Sequence, residues 1–504
     1  MRRRALTTSH GVPGAIGSAV LSIGALALGW LPPLFHVDRV AVLALLRTTV
    51  VGESLGRMAV LVGGALVLQS WLVLGTDVLR RRALEVRQLQ RILALWLIPT
   101  LLVPPLFSRD MYSYFVQGRL LAAGLDPYTH GVASVPGWFQ AGVDPMWAET
   151  PTPYGPLSLL LQRVIVGTAA TPYWSAVCFR FLAIAGVALI AIMVPRLAEH
   201  HGIDPAAAFW LAAMNPLVLL HFSFGGHNDA LMVGLMLAGF EAAVKRRPIP
   251  SILWLAAAVA VKPIALVAVP FAALAVLDRR AGLTRRLVAY AVSGLAVLAP
   301  VVALGAVMGV GTGWVQALTT PGSVRTWLSP STALGMTIGL IGNLAGNRDV
   351  DAIAVTAMRA AAMLLAVILC LVLLLRPQGR SPMRGALLAF TAIVGLGPVV
   401  QPWYLLWALP IVAVTGMHRP WHLRATVLGT AGFVIYALAE PTATADSHLT
   451  LFDSLGMVLA GATVLLVLLA SPRERALAIG DQFAAGLTPR DPSAVSRAEA
   501  QVTR

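Results

Sequence analysis

The residues best suited to chemistry are a few charged and aromatic side chains in a very apolar sequence. The stretch FSRDMYSYFVQGRLLAAGLDPY, which begins at Phe107, places one acid, Asp110, beside Arg109, Tyr112 and Tyr114. A carboxylate just past the end of an apolar run suits a general base that takes a proton from a hydroxyl. The alternative is a simple ion pair between Asp110 and Arg109.

Three further segments carry uncommon polar or aromatic residues. GGHNDA contains His227, Asn228 and Asp229, TTPGSVRTWLSP contains Arg325, and VVQPWYLLW contains Gln401, Trp403 and Tyr404. Ordinary structural roles are the alternative, because His and Asn often cap helices and Trp and Tyr often anchor helices at the membrane interface. Two neighbouring candidate ligands without a third make a weak metal site, so we predict no metal and no other cofactor.

Lys262 stands apart because it lies within the apolar segment 249–277, which contains no acid. A charged residue at the centre of a membrane helix costs at least about 2.5 to 3.5 kcal/mol, and it usually marks a function or a partner. Pro263 removes a backbone donor and favours a break between two short helices at this point. The partner of Lys262 is then either a carboxylate from another segment, such as Asp229, or an anionic ligand such as a phosphate.

The elements that must position these residues are membrane helices. Hydrophobic residues make up 58% of the chain, charged residues only 12%, and the mean hydropathy is +0.79. This composition excludes a soluble globular protein. Apolar segments of about 16 to 24 residues recur and predict an all-α, polytopic membrane protein of roughly 12 to 14 transmembrane helices. The net charge of +15 comes with arginine clusters in short loops, which indicate the cytoplasmic side rather than nucleic acid.

These basic clusters also orient the chain. With Met1 in the cytoplasm, an uncleaved first span covers about 15–33, a second covers 58–79, and a third runs outward over 92–107. Asp110 therefore emerges on the extracytoplasmic side. The residues that follow it form a long outer loop that contains an interfacial helix, since the apolar stretch 157–166 is too short to span.

The predicted organisation is one multispanning membrane domain. Its parts are a cytoplasmic N-terminus over 1–14, the membrane domain over 15–470 with its first large extracytoplasmic loop over 108–171, and a basic, disordered cytoplasmic tail over 471–504. The uncommon polar residues fall largely on the outer side, so we expect them to face one cavity.

A carboxylate, an aromatic floor and one or two cations at the outer membrane face suit glycosyl transfer from a lipid-linked sugar. The lipid tail stays in the membrane while the sugar meets an acceptor in water. Asp110 would act as the base, and Lys262 and Arg325 would stabilise the phosphate that leaves. A single base without a covalent nucleophile predicts inversion at the anomeric carbon.

Four segments, in order, carry a resemblance to a known family: FSRDMYSYFVQGRLLAAGLDPY, TPYGPLSLLLQ, MNPLVLLHFSFGGHNDALMVGLMLAG and AVKPIALVAVPF. The sequence resembles the actinobacterial polyprenol-phosphate-mannose-dependent α-(1→6)-mannosyltransferases of the MptA/MptB type, over about residues 15–470. These enzymes build the mannan core of lipomannan and lipoarabinomannan. The resemblance implies a GT-C fold in the cytoplasmic membrane, with Asp110 matching the proposed catalytic base.

The same resemblance implies the partners. They are a decaprenyl-phosphate-mannose donor, a lipid-anchored mannan acceptor and the surrounding membrane lipids. A single acid follows Ser108 and Arg109, where some wider relatives carry paired acids, and this difference argues against a metal in the first loop.

A secondary transporter or a lipid-linked sugar flippase of the cell envelope is the competing hypothesis, because broken helices with buried cations also suit substrate pathways. The long aromatic and proline-rich outer loop and the absence of a visible repeat favour the transferase.

Overall fold

A computed structural model describes residues 2–33, 35–81, 84–169, 171–278, 281–347, 349–377, 380–442, 451–469 and 486–488, and this part of the chain is helical without any strand. Its α-helices are α1 (Arg2–Leu28), α2 (Ala41–Thr48), α3 (Val50–Thr76), α4 (Val86–Leu97), α5 (Asp110–Ala122), α6 (Pro156–Thr168), α7 (Pro172–His200), α8 (Pro205–Ala212), α9 (Asp229–Val244), α10 (Pro248–Val261), α11 (Val269–Val276), α12 (Leu283–Val307), α13 (Trp314–Ala317), α14 (Pro330–Leu344), α15 (Val350–Leu375), α16 (Pro382–Leu396), α17 (Leu405–Thr415), α18 (Pro420–Ala439) and α19 (Leu451–Leu469). The predicted tail over 471–504 lies outside the described residues except for 486–488.

Six of the described helical segments are long and apolar enough to cross a membrane, and six shorter apolar helices accompany them. The long segments are Gly11–Leu28, Val50–Leu79, Pro172–His200, Leu283–Val307, Val350–Leu375 and Pro420–Ala439. The all-α, multispanning class is therefore confirmed. The count of 12 to 14 crossings stays a prediction, because it depends on whether the shorter helices also cross.

Two of the predicted spans are interrupted in the structure. The segment predicted over 92–107 is helical only to Leu97 and through a 3-10 turn at Ile98–Thr100, because three prolines between 99 and 105 lack the backbone donor a helix needs. In the segment 206–222, the helix ends at Ala212, the chain is non-helical over 213–215, and helical structure resumes at Pro216 and continues as a π-helix over Val218–Phe224. Asp110 and His227 follow soon after these interruptions.

The predicted break at Lys262 is confirmed. Helix α10 ends at Val261, Lys262 has an extended backbone with φ −147° and ψ 117°, and a 3-10 turn follows over Pro263–Ala268. One helix that the sequence pattern did not predict is α14, whose start is capped by the Ser329 side chain accepting from the Thr332 backbone N–H.

Close helix packing fixes the start of α9. A Cβ on Gly186 of α7 would lie 2.3 Å from the backbone of Ala230, so only glycine allows this approach. Small residues at a helix crossing permit such close contact in membrane proteins. The crossing holds Asp229, the first residue of α9, in a fully buried position.

Candidate active site

A cavity of about 230 Å³ brings together residues from the outer loop and from the breaks between helices. Its polar and aromatic wall includes Asp110, Trp147, Tyr154, Lys262, Gln401, Trp403, Tyr404 and Trp407. Its aliphatic wall includes Ile264, Leu318, Val324, Met363, Ile393, Val394 and Val399. A ligand that fills this cavity would need both a polar and a hydrophobic part.

Asp110 is the first residue of α5, where the positive end of the helix dipole favours a carboxylate. The Trp147 indole N–H donates to Asp110 Oδ1 at 3.3 Å, and His227 Nδ1 lies 3.3 Å from Asp110 Oδ2. The carboxylate nevertheless lines the cavity, and 16% of the side chain stays exposed. It is held in place and remains open to a substrate.

The surroundings of Asp110 keep it ready to accept a proton. Burial by itself raises the pKa of Asp110, but the contact with His227, the positive charge of Lys262 and the Trp147 hydrogen bond together bring that pKa below its ordinary value. The carboxyl group is therefore ionised at neutral pH, as a general base must be.

His227 lies one layer behind the cavity wall rather than on it. Its imidazole is fully buried and stacks on the Trp403 ring, with centroids 3.8 Å apart and planes 22° apart. The preceding Gly226 has φ +62°, and a Cβ there would meet Met111 at 2.2 Å, so the bend that delivers His227 requires glycine. His227 thus links Asp110 to the aromatic wall.

Lys262 forms a buried ion pair with Asp229. Its Nζ donates to Asp229 Oδ1 at 2.7 Å and to Oδ2 at 2.8 Å, and the Trp407 indole N–H also donates to Oδ1 at 2.6 Å. Asp229 is 1% exposed, while the Lys262 side chain is 11% exposed and lines the cavity. Of the two partners predicted for Lys262, a carboxylate from another segment or an anionic ligand, the structure shows the carboxylate.

Three aromatic rings surround the Lys262 ammonium. Its Nζ lies 5.6, 5.5 and 5.4 Å from the ring centroids of Tyr154, Tyr404 and Trp407, within the range of cation–π contacts. Tyr404 and Trp407 also stack on each other with centroids 4.0 Å apart. The ammonium group of Lys262 at the cavity wall is thus surrounded by three aromatic rings.

Three other predicted residues around the start of α5 support the position of this helix instead of lining the cavity. The Arg109 guanidinium lies 4.0 Å from the centroid of the Trp30 ring and 3.8 Å from Asp144, so the predicted alternative of an Arg109–Asp110 pair does not form. The Tyr112 hydroxyl donates to the Trp30 carbonyl at 2.7 Å. Tyr114 is buried as well, with its ring packed edge-on against Tyr154.

Of three further predicted residues, one lines the cavity and two do not. Gln401 lines the cavity. Asn228 donates to the Ser158 hydroxyl at 3.1 Å and packs behind the wall. Arg325 does not join the site, because its guanidinium is 47% exposed and pairs with Asp351 at 2.6 Å.

Trp147, Tyr154 and Trp407 are site residues that the sequence analysis missed. Trp147 and Tyr154 lie in the proline-rich outer loop, and Trp407 lies in the VVQPWYLLW motif, so the aromatic content of these two segments was the available signal. Within the described residues, no group of three or more His, Cys, Asp or Glu side chains is placed to hold a metal ion. The metal-free site stays a prediction.

Comparison with known proteins agrees with the resemblance carried by the four segments. Residues 11–278 match the family described as Alpha-(1→6)-mannopyranosyltransferase, N-terminal domain, and residues 331–442 match the MptB C-terminal domain. A probable alpha-(1→6)-mannopyranosyltransferase of Mycolicibacterium smegmatis is 35% identical over 91% of this chain and 87% of its own length. An alpha-(1→6)-mannopyranosyltransferase of Mycobacterium tuberculosis is 34% identical over 91% of this chain and 86% of its own.

Among solved structures, ArnT from Cupriavidus metallidurans bound to undecaprenyl phosphate aligns over 80% of this chain and 75% of its own, with 14% identity and a TM-score of 0.40. That likeness is too low to carry an argument about the site. The sequence matches extend over both ends of the membrane region and include Asp110, Lys262 and the aromatic wall. This chain therefore belongs to the alpha-(1→6)-mannopyranosyltransferase family.

Proposed function

We propose that the protein is an inverting glycosyltransferase that moves mannose from polyprenyl-phosphate-mannose to a mannan or lipomannan acceptor through an α-(1→6) linkage, on the extracytoplasmic face of the plasma membrane. One observation carries the proposal. A single cavity places an ionised carboxylate, Asp110, and a cation, Lys262, beside an aliphatic wall. A lipid-linked sugar phosphate has the matching parts, and the family relatives are named for mannosyl transfer.

In the proposed reaction, Asp110 takes the proton of the acceptor 6-hydroxyl while that oxygen attacks the anomeric carbon of mannose. The bond from this carbon to the phosphate oxygen breaks, and its electron pair leaves with the polyprenyl phosphate. Attack opposite the leaving phosphate inverts the anomeric centre. An α-linked product therefore requires a β-linked mannosyl phosphate as the donor.

The donor phosphate is assigned to Lys262. An ammonium stabilises phosphate oxygens as a point charge, and the growing charge on the leaving group is where such stabilisation accelerates the reaction. Lys262 already holds Asp229, so the phosphate would share the ammonium with that carboxylate. The aliphatic residues of the cavity, among them Ile264, Met363 and Ile393, suit the first isoprene units.

The sugar and the acceptor are assigned to the aromatic wall. Aromatic faces such as those of Trp403 and Tyr404 pack well against the C–H faces of sugars, and Gln401 offers both a donor and an acceptor for hydroxyls. His227, Asn228 and Asp229 act from behind this wall.

The test is a transfer assay in proteoliposomes with purified protein. We expect labelled mannose to move from synthetic β-linked polyprenyl-phosphate-mannose to an α-(1→6)-mannan acceptor, with no transfer from a nucleotide-linked mannose. Linkage analysis of the product should show new α-(1→6) bonds only.

The same proteoliposomes can be used to test the competing hypothesis of a transporter or flippase. Movement of the labelled lipid across the bilayer without any product, at normal protein abundance, would contradict the transferase assignment. Glu149→Gln is a matched control for Asp110→Asn, because this exposed acid belongs to the same loop and does not line the cavity.

A further inference from the structure

Arg180 is a fully buried arginine in the first third of α7, with 1% of its surface exposed. Its guanidinium pairs with no carboxylate among the described residues. Instead it donates to four backbone carbonyls: Nε to Ser223 at 2.9 Å, Nη1 to Val103 at 2.5 Å and to Leu101 at 3.3 Å, and Nη2 to Phe224 at 3.4 Å.

These four carbonyls belong to the two chain segments that end at the site. Leu101 and Val103 lie in the irregular stretch between the 3-10 turn at Ile98–Thr100 and Asp110. Ser223 and Phe224 close the π-helix that leads through Gly226 to His227. The Arg180 side chain therefore connects the two segments that lead to Asp110 and to His227, whose side chains lie 3.3 Å apart.

The chemistry of this arrangement suits arginine in particular. The irregular stretch is rich in proline and cannot pair its carbonyls within a helix, so these acceptors need donors from elsewhere. A planar guanidinium presents five donors in a fixed fork, whereas a lysine ammonium is a compact point charge that cannot reach four acceptors on two segments. Such hydrogen bonds from a charged donor also offset the cost of burying it.

A second, smaller connection joins the same segments. The Thr100 and Ser223 hydroxyls lie 2.5 Å apart, and both are buried. Lys262 lies between α10 and the 3-10 turn that follows it. The aliphatic wall of the cavity is built largely from that turn, α15 and α16. The segments held by Arg180 thus supply the base and its histidine but not the donor phosphate contact.

We infer that Arg180 is a positioning residue for the proposed mannosyl transfer: it sets the placement of Asp110 relative to His227 and the substrate, and it acts through them without touching substrate. This inference rests on the proposed function. A misplacement of about 1 Å at a catalytic group can cost about 10²-fold in rate. We therefore expect Arg180→Met to lower kcat by about 10- to 100-fold while donor KM changes less than about twofold.

The experiment separates positioning from a general loss of folding. Turnover is measured per donor-binding molecule, so unfolded protein does not count. Arg384→Met is the matched control, because Arg384 also donates to a backbone carbonyl, that of Gly416, at a distance from the site. We expect this control to keep kcat within about twofold of the unchanged protein.

A double-mutant cycle with His227→Ala gives the decisive readout. If Arg180 acts through the placement of His227 and Asp110, Arg180→Met should lose most of its effect on kcat once His227 is removed. Full additivity, or a kcat per donor-binding molecule equal to that of the unchanged protein, would overturn the inference. If Arg180→Met does not accumulate, Arg180→Lys, which keeps the charge and only some of the bonds, enters the same cycle.

The outcome for the proposed function is distinguishable. An Asp110→Asn variant with normal transfer would remove the base assignment and with it the basis of the inference. An inactive Asp110→Asn beside an Arg180→Met variant of normal kcat would refute the inference alone.

Discussion

Replacing Lys262 by methionine tests the double role assigned to this residue. The substitution keeps a long, unbranched stem and deletes the charge. In the structure, the two hydrogen bonds from Nζ to Asp229 disappear, and a carboxylate that is 1% exposed keeps only the Trp407 indole as a donor. The change therefore strips a buried anion of its counter-ion and also removes the cation that faces the cavity.

The expected loss in the free energy of unfolding of Lys262→Met follows from that geometry. Removing one partner of a buried ion pair costs about 3 to 5 kcal/mol, because an uncompensated charge stays in a low-dielectric interior. Lys262 is slightly exposed at 11%, so we expect the lower part of this range, about 3 kcal/mol. The second variant, Asp229→Asn together with Lys262→Met, removes both charges while the new amide oxygen still accepts from Trp407.

The two variants separate structure from catalysis. The double variant should recover about 2 kcal/mol of the lost stability, since no unpaired charge remains. It should not recover donor affinity, because the phosphate has lost its ammonium. We expect donor KM to rise and kcat to fall in both variants, each by about tenfold or more, since hydrogen bonds to charged groups contribute about 1.5 to 3 kcal/mol.

Thermal unfolding in detergent and donor titration of transfer rates provide the two readouts. Unchanged stability in Lys262→Met would show that the pair with Asp229 does not hold the fold. Recovery of both stability and donor KM in the double variant would refute the phosphate assignment, because Lys262 would then act only as a structural partner of Asp229.

Four further predictions follow from the site and its supports. His227→Ala should raise the pKa of Asp110 by removing a contact that lowers it, so the acidic limb of the kcat/KM profile should move to higher pH; an unmoved limb would separate His227 from the base. Arg325→Gln should change donor KM by less than about twofold, because the half-exposed Arg325 pairs with Asp351 outside the cavity; a tenfold rise would support Arg325 as a phosphate ligand. Arg359→Gln should raise donor KM more than it lowers kcat, since Arg359 holds the carbonyl of Val324, which lines the cavity; the reverse pattern in steady-state kinetics would contradict this. Excess chelator should leave transfer unchanged, and activity that is lost and then restored by a divalent ion would establish a metal requirement.

The sequence was sufficient to predict those site residues that differ sharply in polarity from their neighbours in the chain. Lys262 is a charged group within an apolar segment, where the energetic penalty makes it visible without a structure, and Asp110 is an acid directly after the end of an apolar run. The break at Lys262 followed from Pro263 in the same way. Both residues line the cavity in the structure.

Partners across the fold could not be predicted from local patterns. The sequence left the partner of Lys262 open between a carboxylate such as Asp229 and an anionic ligand, because a contact over 33 residues depends on how α9 and α10 pack. Arg325 precedes α14, and its partner Asp351 follows that unpredicted helix, so this ion pair could not be predicted from the sequence. Arg180 is likewise a charged residue in an apolar segment, but its acceptors are backbone carbonyls, which carry no sequence signature, so the segments that it binds could not be predicted.

The central claim is that Asp110 is the general base of mannosyl transfer. The most direct test compares single-turnover transfer by the unchanged protein and by Asp110→Asn, each preloaded with polyprenyl-phosphate-mannose and mixed with the mannan acceptor. Removal of a general base lowers the rate by about 10²- to 10⁴-fold. We predict a loss of that size with donor binding unchanged; transfer by Asp110→Asn at a rate near that of the unchanged protein would contradict the account.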